Sequence, residues 1–275
     1  MRVWSGADET SHFYSKKIKK MKKLIMLFLV AFFAIYSCST DNDLEINQAT
    51  ISLNFTNNWK DSITVTNADF NELIFTNENG EKLSIERLRY LVSDVTLINQ
   101  NGDTITSKDY NLIDVTTGEN FNFTISEKVP VGIYSSVKFR FGFNAADNIE
   151  GAYADLNTAD FSVPEMLGGG YHFMQFDGKF IDSTGVTKGF NYHMISAIDK
   201  SDPADIKKTD TSFEVNLGKI TISGDTTLQV KADLSQWFKN PNTWNLNKLN
   251  AVLMPNYSAQ LKMNANGKTV FSLKK

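Results

Sequence analysis

A strict alternation of apolar and polar residues is the feature that most constrains how this chain folds. It is clearest in the stretch VKFRFGF, residues 137–143, where Val or Phe occupies every odd position and Lys138 and Arg140 lie between them. A period of two places successive side chains on opposite faces of a strand, whereas a helix would need a period near 3.6. The stretch is therefore predicted to be a β-strand with one face in the core and the other in water.

Similar stretches recur along the chain from Ala49 onwards, separated by turn signals rich in Asn, Gly and Asp. The further predicted strands are Ile51–Phe55, Asn71–Asn77, Tyr90–Ile98, Tyr110–Val115, Phe121–Ile125, Tyr171–Ile181, Phe190–Ile195, Phe213–Leu217 and Thr227–Leu234. No repeat of fixed period and no linker divides them. We therefore predict an all-β fold, an antiparallel β-sandwich with Greek-key-like connections, formed by residues 49–275 as one domain.

Helical patterns occur only towards the C-terminus. The segments LSQWFKN (234–240) and PNYSAQLKMNAN (255–266) predict one or two short helices, the second with Pro255 in its first turn. Between them, Trp237 and Trp244 are predicted to be core or edge aromatic residues. A platform on which a sugar stacks is the alternative for this pair.

Residues 16–38 have the pattern of a secretory signal. The basic run KKIKKMKK (16–23) precedes thirteen apolar residues (24–36), then Ser37 and Cys38. Thirteen apolar residues are too few for a transmembrane helix, which needs about 20, and the order of charged, apolar and small residues is that of a cleaved signal. Because cleavage would fall at the only cysteine, the segment resembles a bacterial lipoprotein signal in which Cys38 is lipidated and becomes the mature N-terminus. The alternative is that Cys38 is a buried apolar residue.

The sequence on either side of this signal completes the prediction. The first fifteen residues fit no part of a signal, so translation is expected to begin at Met21. Residues 39–48, STDNDLEINQ, are polar and acidic, and they are predicted to be a flexible tether. An acidic stretch at this position resembles a surface-display signal of some Gram-negative lipoproteins. The protein is therefore expected to be lipid-anchored at the outer membrane or cell surface, with the periplasmic side as the alternative.

Composition and motifs exclude several classes of function. The 28 Lys and Arg are outnumbered by 31 Asp and Glu, which argues against a surface for nucleic acid. A single cysteine excludes a disulfide framework and any multi-cysteine metal site. The chain also lacks the Gly-x-Ser-x-Gly, His-Glu-x-x-His and Walker patterns of common enzymes. No enzymatic activity is expected.

Two histidines that follow the signal carry the remaining chemistry. His172 and His193 lie in neighbouring predicted strands. If these strands form a hairpin with an even number of loop residues, the two side chains share one face at about 5–8 Å, and Met174 lies on that face too. Two imidazoles and a thioether suit a soft or borderline metal, copper above all. The alternative is that both histidines are ordinary cross-strand or core residues.

Several segments in a consistent order and spacing resemble the MbnP-like family. They are LSIERLRYLVSDVTLINQNGD…YNLIDV (83–115), VPVGIYSSVKFRFGF (129–143), GGGYHFMQFDGKF (168–180), FNYHM (190–194) and NANGKTVFSL (264–273). The resemblance covers residues 49–275. Members of this family are periplasmic or surface β-sandwich proteins, many of them lipoproteins, and the family is named for a copper-binding protein found beside methanobactin operons.

This resemblance implies copper held by histidines, in some members together with a kynurenine formed from a tryptophan near the segment that precedes Gly-Tyr. His193 matches the family's histidine on the strand after the Gly-Tyr-x-Phe segment. The chain departs from the family in two places. VPEMLGGG (163–170) holds no tryptophan, so no kynurenine can form there, and Asn57 and Asn58 stand where related sequences often have a histidine. His172 is expected to take a ligand position, an inference from this chain alone.

Two functions are consistent with these features. The first is a cell-envelope lipoprotein that binds a metal ion, copper, through His172, His193 and Met174. It would serve in metal acquisition or handling without turnover, with the membrane and an envelope protein as partners. The second is a lipoprotein of the same fold that binds no metal and recognises a protein or a glycan.

Overall fold

The computed structural model describes residues 47–60 and 62–274. The predicted signal, the start at Met21, the lipidation site Cys38 and tether residues 39–46 lie outside the described residues. Within the part that the model describes, no helix is long and apolar enough to cross a membrane.

Short strands make up most of the secondary structure. They are β1 Gln48–Ala49, β2 Ile51–Trp59, β3 Ile63–Thr64, β4 Phe75–Thr76, β5 Lys82–Leu83, β6 Arg87–Asn99, β7 Thr104–Thr106, β8 Tyr110–Asp114, β9 Asn122–Thr124, β10 Val129–Pro130, β11 Gly132–Phe141, β12 Met174–Ile181, β13 Thr187–Met194, β14 Ala197–Asp199, β15 Lys207–Thr209, β16 Phe213–Ile222, β17 Thr226–Asp233 and β18 Phe271–Leu273. The helices are α1 Ala154–Thr158 and α2 Tyr257–Gly267, with 3₁₀ turns at Asn67–Asp69, Glu165–Leu167 and Leu234–Phe238.

Two sheets pack face to face, which confirms the predicted all-β sandwich. The larger has nine strands, with β16, β11, β6, β12, β5 and β4 in order, β13 beside β12, and β7 and β8 beside β6. The smaller has five strands, β18, β17, β2 and β3 in order, with β9 on β2. Aromatic rings join the two sheets: Phe55 of β2 meets Phe139 of β11 at 5.5 Å, and Phe271 of β18 meets Tyr90 of β6 at 5.8 Å.

The pairing of β2 with β17 departs from a purely antiparallel arrangement. These strands run parallel from Ile51 opposite Thr226 to Asn58 opposite Asp233. Parallel neighbours need a long connection between them, and here the connection contains all the strands of the larger sheet. An early segment of the sequence, β2, and a late one, β17, are thus neighbours in the centre of the smaller sheet.

Residues 137–143 have one face in the core and the other towards water, as their alternation predicts. Val137, Phe139, Phe141 and Phe143 are buried, while Lys138 and Arg140 on the other face are only partly buried. The strand ends at Phe141 because Gly142 takes a left-handed conformation, with φ of 80°. This strand therefore supplies one wall of the core.

The predicted helices are present with shifted ends. The first is the 3₁₀ turn Leu234–Phe238, and the second is α2. Pro255 precedes α2, and Asn256 caps it by accepting the Ala259 N–H at 3.1 Å. Helix α1 has only five residues and was not predicted, since so short a segment shows no periodicity.

The predicted tether is too long by its last two residues. The Asn47 carbonyl accepts the Val131 N–H at 2.8 Å, and Gln48 pairs with Pro130 in the β1–β10 ladder. The ordered domain therefore includes these residues, whose polar side chains gave no strand signal.

Candidate metal site

The hairpin of β12 and β13 sets the position of His193. Met174 pairs with Met194, Gln175 with His193, and Asp177 with Asn191. Strand pairing ends at Ile181 and Thr187, which leaves five residues between them, so the condition of an even-numbered loop is not met. Asp182 closes the loop by bonding its N–H to the Val186 carbonyl, and Gly185 supplies the left-handed residue, φ 82°, typical of a three-residue turn.

This register places Met174 on the face opposite His193. Met174 and Met194 are fully buried and point into the core. His193 and Gln175 share the outer face of the sheet, because side chains alternate along each strand. The prediction that Met174 shares a face with the histidines is therefore wrong, since it depended on the even-numbered loop.

His172 reaches the outer face because the alternation breaks at Phe173. Phe173 and Met174 are consecutive, yet both are fully buried. The ring of Phe173 occupies the space beside Gly142, where an added Cβ would lie 2.5 Å from the ring. The rings of His172 and His193 consequently lie 5.3 Å apart between centroids and almost perpendicular, at 86°.

The imidazole of His172 has one nitrogen fixed and one free. Its Nδ1 lies 2.9 Å from the carbonyl of Phe161, which can only accept, so Nδ1 carries the proton. Burial lowers the pKa of His172 to about 4, which keeps the ring neutral near pH 7. Nε2 then holds a lone pair, and it is buried with no hydrogen-bond partner among the described residues. A buried, neutral nitrogen donor without a partner is the chemistry of a metal ligand.

A carboxylate orients His193 in a similar way. Nε2 of His193 lies 2.8 Å from Oδ1 of Asp177. Burial would raise the pKa of Asp177, but hydrogen bonds from His193 and Asn191 and the charge of Arg87 outweigh it and lower the pKa to about 2. The ionised carboxylate accepts the Nε2 proton, which leaves Nδ1 of His193 as the basic nitrogen.

Two arginines of β6 complete the outer face. Arg89 stands opposite Gln175, and Arg87 stands opposite Asp177. Arg89 donates to the Gln175 side chain and, at 2.9 Å, to the carbonyl of Ala159, and its guanidinium lies 5.5 Å from the centre of the Phe161 ring. These contacts hold the segment 159–161 over the strand and so fix the carbonyl that orients His172.

The triple glycine determines the path of the backbone that leads to His172. Gly168, Gly169 and Gly170 all have positive φ, and a Cβ on Gly170 would lie 2.5 Å from Oδ1 of Asn148. That oxygen accepts the N–H of Tyr171 at 2.8 Å. The glycines therefore let the chain pass close to a supporting loop immediately before His172.

Helix α2 holds the end of β13. The buried side chain of Gln260 donates from Nε2 to the carbonyl of His193 at 2.8 Å and accepts the N–H of Ile195 at 2.9 Å. Nε2 also reaches the carbonyl of Leu253 at 3.1 Å. The backbone on both sides of Met194 is thereby fixed by one amide.

Asn57 lies away from the histidine pair. It accepts a hydrogen bond from Tyr90 OH at 3.1 Å. Tyr90 pairs with Met174 and faces the core, whereas the histidines lie on the outer face. In the described part of the chain, no group of three or more His, Cys, Asp or Glu is placed to hold a metal ion.

The residues that orient the histidines were not predicted from the sequence. Arg87 and Arg89, and likewise Gln175 and Asp177, alternate with apolar residues in their strands, and this pattern could have marked a polar outer face. Nothing in the sequence marked Gln260. Trp237 and Trp244 are each 1% exposed, so they are core residues and form no sugar platform.

The chain is similar to one known family. The MbnP family model matches residues 48–255. A solved structure, MbnP from Methylosinus trichosporium, is 14% identical, with 72% of this chain and 80% of that chain covered and a TM-score of 0.49. No curated protein matches the chain.

Proposed function

Since the chain belongs to the MbnP family, we propose that it is a cell-envelope protein that binds copper through His172 and His193. The observation that carries this proposal is the free Nε2 of His172, buried and neutral beside the ring of His193. The protein would acquire or hand on the metal without catalysing a reaction.

The surroundings of both rings fit a metal ligand. Histidines that bind metals almost always donate their other N–H to a carbonyl or a carboxylate, which fixes the tautomer and the orientation of the ring. His172 donates to the Phe161 carbonyl, and His193 donates to Asp177. The nitrogens left over are Nε2 of His172 and Nδ1 of His193.

The number and charge of these donors favour copper over zinc. Structural zinc takes four ligands, and catalytic zinc takes three from the protein, whereas the described residues offer two imidazole nitrogens. The carboxylate of Asp177 is already engaged by Arg87, Asn191 and His193. With two arginines nearby and no free carboxylate, a monovalent ion is less strongly repelled than a divalent one, so we propose Cu(I).

The place of action follows from the N-terminal sequence. Cys38 lies outside the described residues, and the proposal for it rests on the signal pattern in residues 16–38. We propose that acyl chains on Cys38 hold the protein at the outer membrane or cell surface, and that an envelope protein exchanges copper with it.

The test is a titration of the full-length chain with Cu(I) against a competing chelator. The variants are His172→Asn and His193→Gln, because the Asn amide can replace Nδ1 in the bond to Phe161 and the Gln amide can replace Nε2 in the bond to Asp177. Each variant keeps the orienting hydrogen bond and loses the free nitrogen.

We expect one copper ion per wild-type chain and loss of binding in both variants, with melting temperatures close to that of the wild type. Zn(II) should not compete. Absence of stoichiometric binding by the wild type, or binding that survives in both variants, would overturn the proposal.

A further inference from the structure

The edge of β2 contains a gap in its hydrogen-bond ladder. On this side, β9 pairs with residues 52–54 and β3 pairs with residues 58 and 59. The Phe55 N–H bonds the Phe121 carbonyl, and the Asn57 carbonyl accepts the Val65 N–H, both at 2.8 Å. The gap between these two bonds lies in the smaller sheet, away from the outer face that carries the histidines.

Two backbone groups point into this gap. In an antiparallel ladder, the N–H and C=O of one residue point to the same side of the strand. Because the N–H of Phe55 and the C=O of Asn57 are used on this edge, the C=O of Phe55 and the N–H of Asn57 lie between them. The gap therefore presents one acceptor and one donor.

The side chain of Asn57 forms the inner end of the gap. Asn57 is 2% exposed, and its Oδ1 accepts the hydroxyl proton of Tyr90. Its amide nitrogen has no hydrogen-bond partner among the residues described. Asn57 lines the pocket described next, and this donor is not one of the fully buried unpaired atoms, so it can donate to an acceptor that enters the gap.

The gap opens into a pocket whose walls are polar but uncharged. Its volume is about 460 Å³, within the range of about 300–1,000 Å³ found for small-molecule sites. None of the described residues that line it is ionisable, although 21% of the chain is charged. Amides, hydroxyls and phenyl rings are present, contributed by Asn54, Phe55, Thr56, Asn57, Thr64, Val65, Thr66, Asn67, Thr117, Gly118 and Phe121.

We propose that this pocket binds a neutral saccharide. Sugar hydroxyls both donate and accept, so they match the carbonyl of Phe55, the amides of Asn57 and the threonine hydroxyls together. The absence of charge on the walls disfavours uronic acids and sugar phosphates. An extended peptide fits less well, because β9 and β3 close the gap at both ends and leave three residues of β2 between them.

The experiment is saturation-transfer NMR on the full-length chain in a sugar-free detergent. The probes are glucose, galactose, mannose, N-acetylglucosamine, maltose, cellobiose and diacetylchitobiose, with glucuronate and glucose 6-phosphate as charged counterparts. The pocket variants are Asn67→Ala and Thr117→Val, both at exposed positions. Asn101→Ala, an exposed asparagine outside this pocket, is the matched control.

We expect saturable binding of at least one neutral sugar and none of the charged ones. Each pocket variant should weaken binding about fivefold, as for one lost hydrogen bond, while Asn101→Ala binds like the wild type. Three results would overturn the proposal: no neutral sugar of the panel binds, the pocket variants bind unchanged, or only a blocked uncharged peptide such as acetyl-Thr-Val-Thr-Val-amide binds.

Discussion

Oδ1 of Asp177 lies 2.8 Å from Nε2 of His193, and the same carboxylate is held by Arg87 and Asn191 at 2.5 Å each. Asp177 and His193 are on neighbouring strands, two residues apart in register, so their side chains lie on the same face of the sheet. The carboxylate decides which nitrogen of His193 carries the proton, and so which one is available to a metal.

Asp177→Asn should therefore weaken copper binding without removing either histidine. The substitution removes the carboxylate that orients the His193 ring and leaves Arg87 without its ion pair. Changes to such orienting partners typically reduce metal affinity about 10–100-fold. Chelator competition measures the change, with Glu86→Gln as the control, because Glu86 is also ion-paired, to Lys179 at 2.7 Å. Equal affinities of the two variants would contradict the role given to Asp177.

Met174→Leu should leave copper affinity unchanged. Met174 is fully buried on the core face, opposite Met194. Leu and Met have similar volumes, and such exchanges usually cost less than about 1.5 kcal/mol of stability. The same titration checks this expectation. A clear fall in affinity would mean that the thioether reaches the metal, as the sequence had suggested.

These cases show why the sheet was predictable and the site was not. The strand at residues 137–143 follows from local alternation, which needs no knowledge of neighbours. The face of Met174 depends on the loop between β12 and β13, which Gly185 makes odd-numbered. The face of His172 depends on Phe173, which fits beside Gly142. One of these determinants, Gly142, is distant from His172 in sequence, and the other is the backbone conformation of the single residue Gly185. Hydrophobic periodicity within the strands reveals neither of them.

Gly170→Ala should destabilise the protein more than Gly185→Ala. The two glycines have almost the same φ, 79° and 82°, so both substitutions carry a similar backbone cost, roughly 1–2 kcal/mol. A Cβ at Gly185 meets nothing within 4 Å, whereas at Gly170 it meets Oδ1 of Asn148 at 2.5 Å. Urea unfolding measures both. If the two losses of free energy are equal, the Asn148 side chain moves away from the new Cβ without cost. It then does not fix the path of the backbone before His172.

Gln260→Leu should reduce both stability and copper affinity. The substitution leaves the carbonyl of His193 and the N–H of Ile195 buried without their partner, at a cost of about 1–3 kcal/mol for each unpaired group. Copper affinity should also fall, because the backbone of His193 is no longer fixed. Gln229→Leu, at an exposed position of β17, is the control. Lower stability with wild-type copper affinity would limit Gln260 to a structural role.

The stability of the metal-free protein should fall as the pH is lowered from about 6.5 to 4, owing to His172. Burial lowers its folded-state pKa to about 4, helped by the charges of His193, Arg87 and Arg89, while the Phe161 carbonyl opposes the shift. In the unfolded chain the pKa is about 6.5. Between these values the unfolded state binds a proton that the folded state does not, so acidification favours unfolding.

The size of this effect, integrated over the window, is on the order of 3 kcal/mol. Asp177 does not confound it: its pKa is lowered to about 2, so its stabilising contribution is lost only as the pH falls below about 4, its pKa in the unfolded chain.

Urea unfolding at pH 7.5, 6, 5 and 4.5, with a chelator present, compares the wild type with His172→Asn. The variant cannot take up the proton in either state, so its stability should change less across this range. Parallel pH dependences in the two proteins would show that His172 is not held neutral by its burial, and the argument for a free lone pair on Nε2 would fail with it.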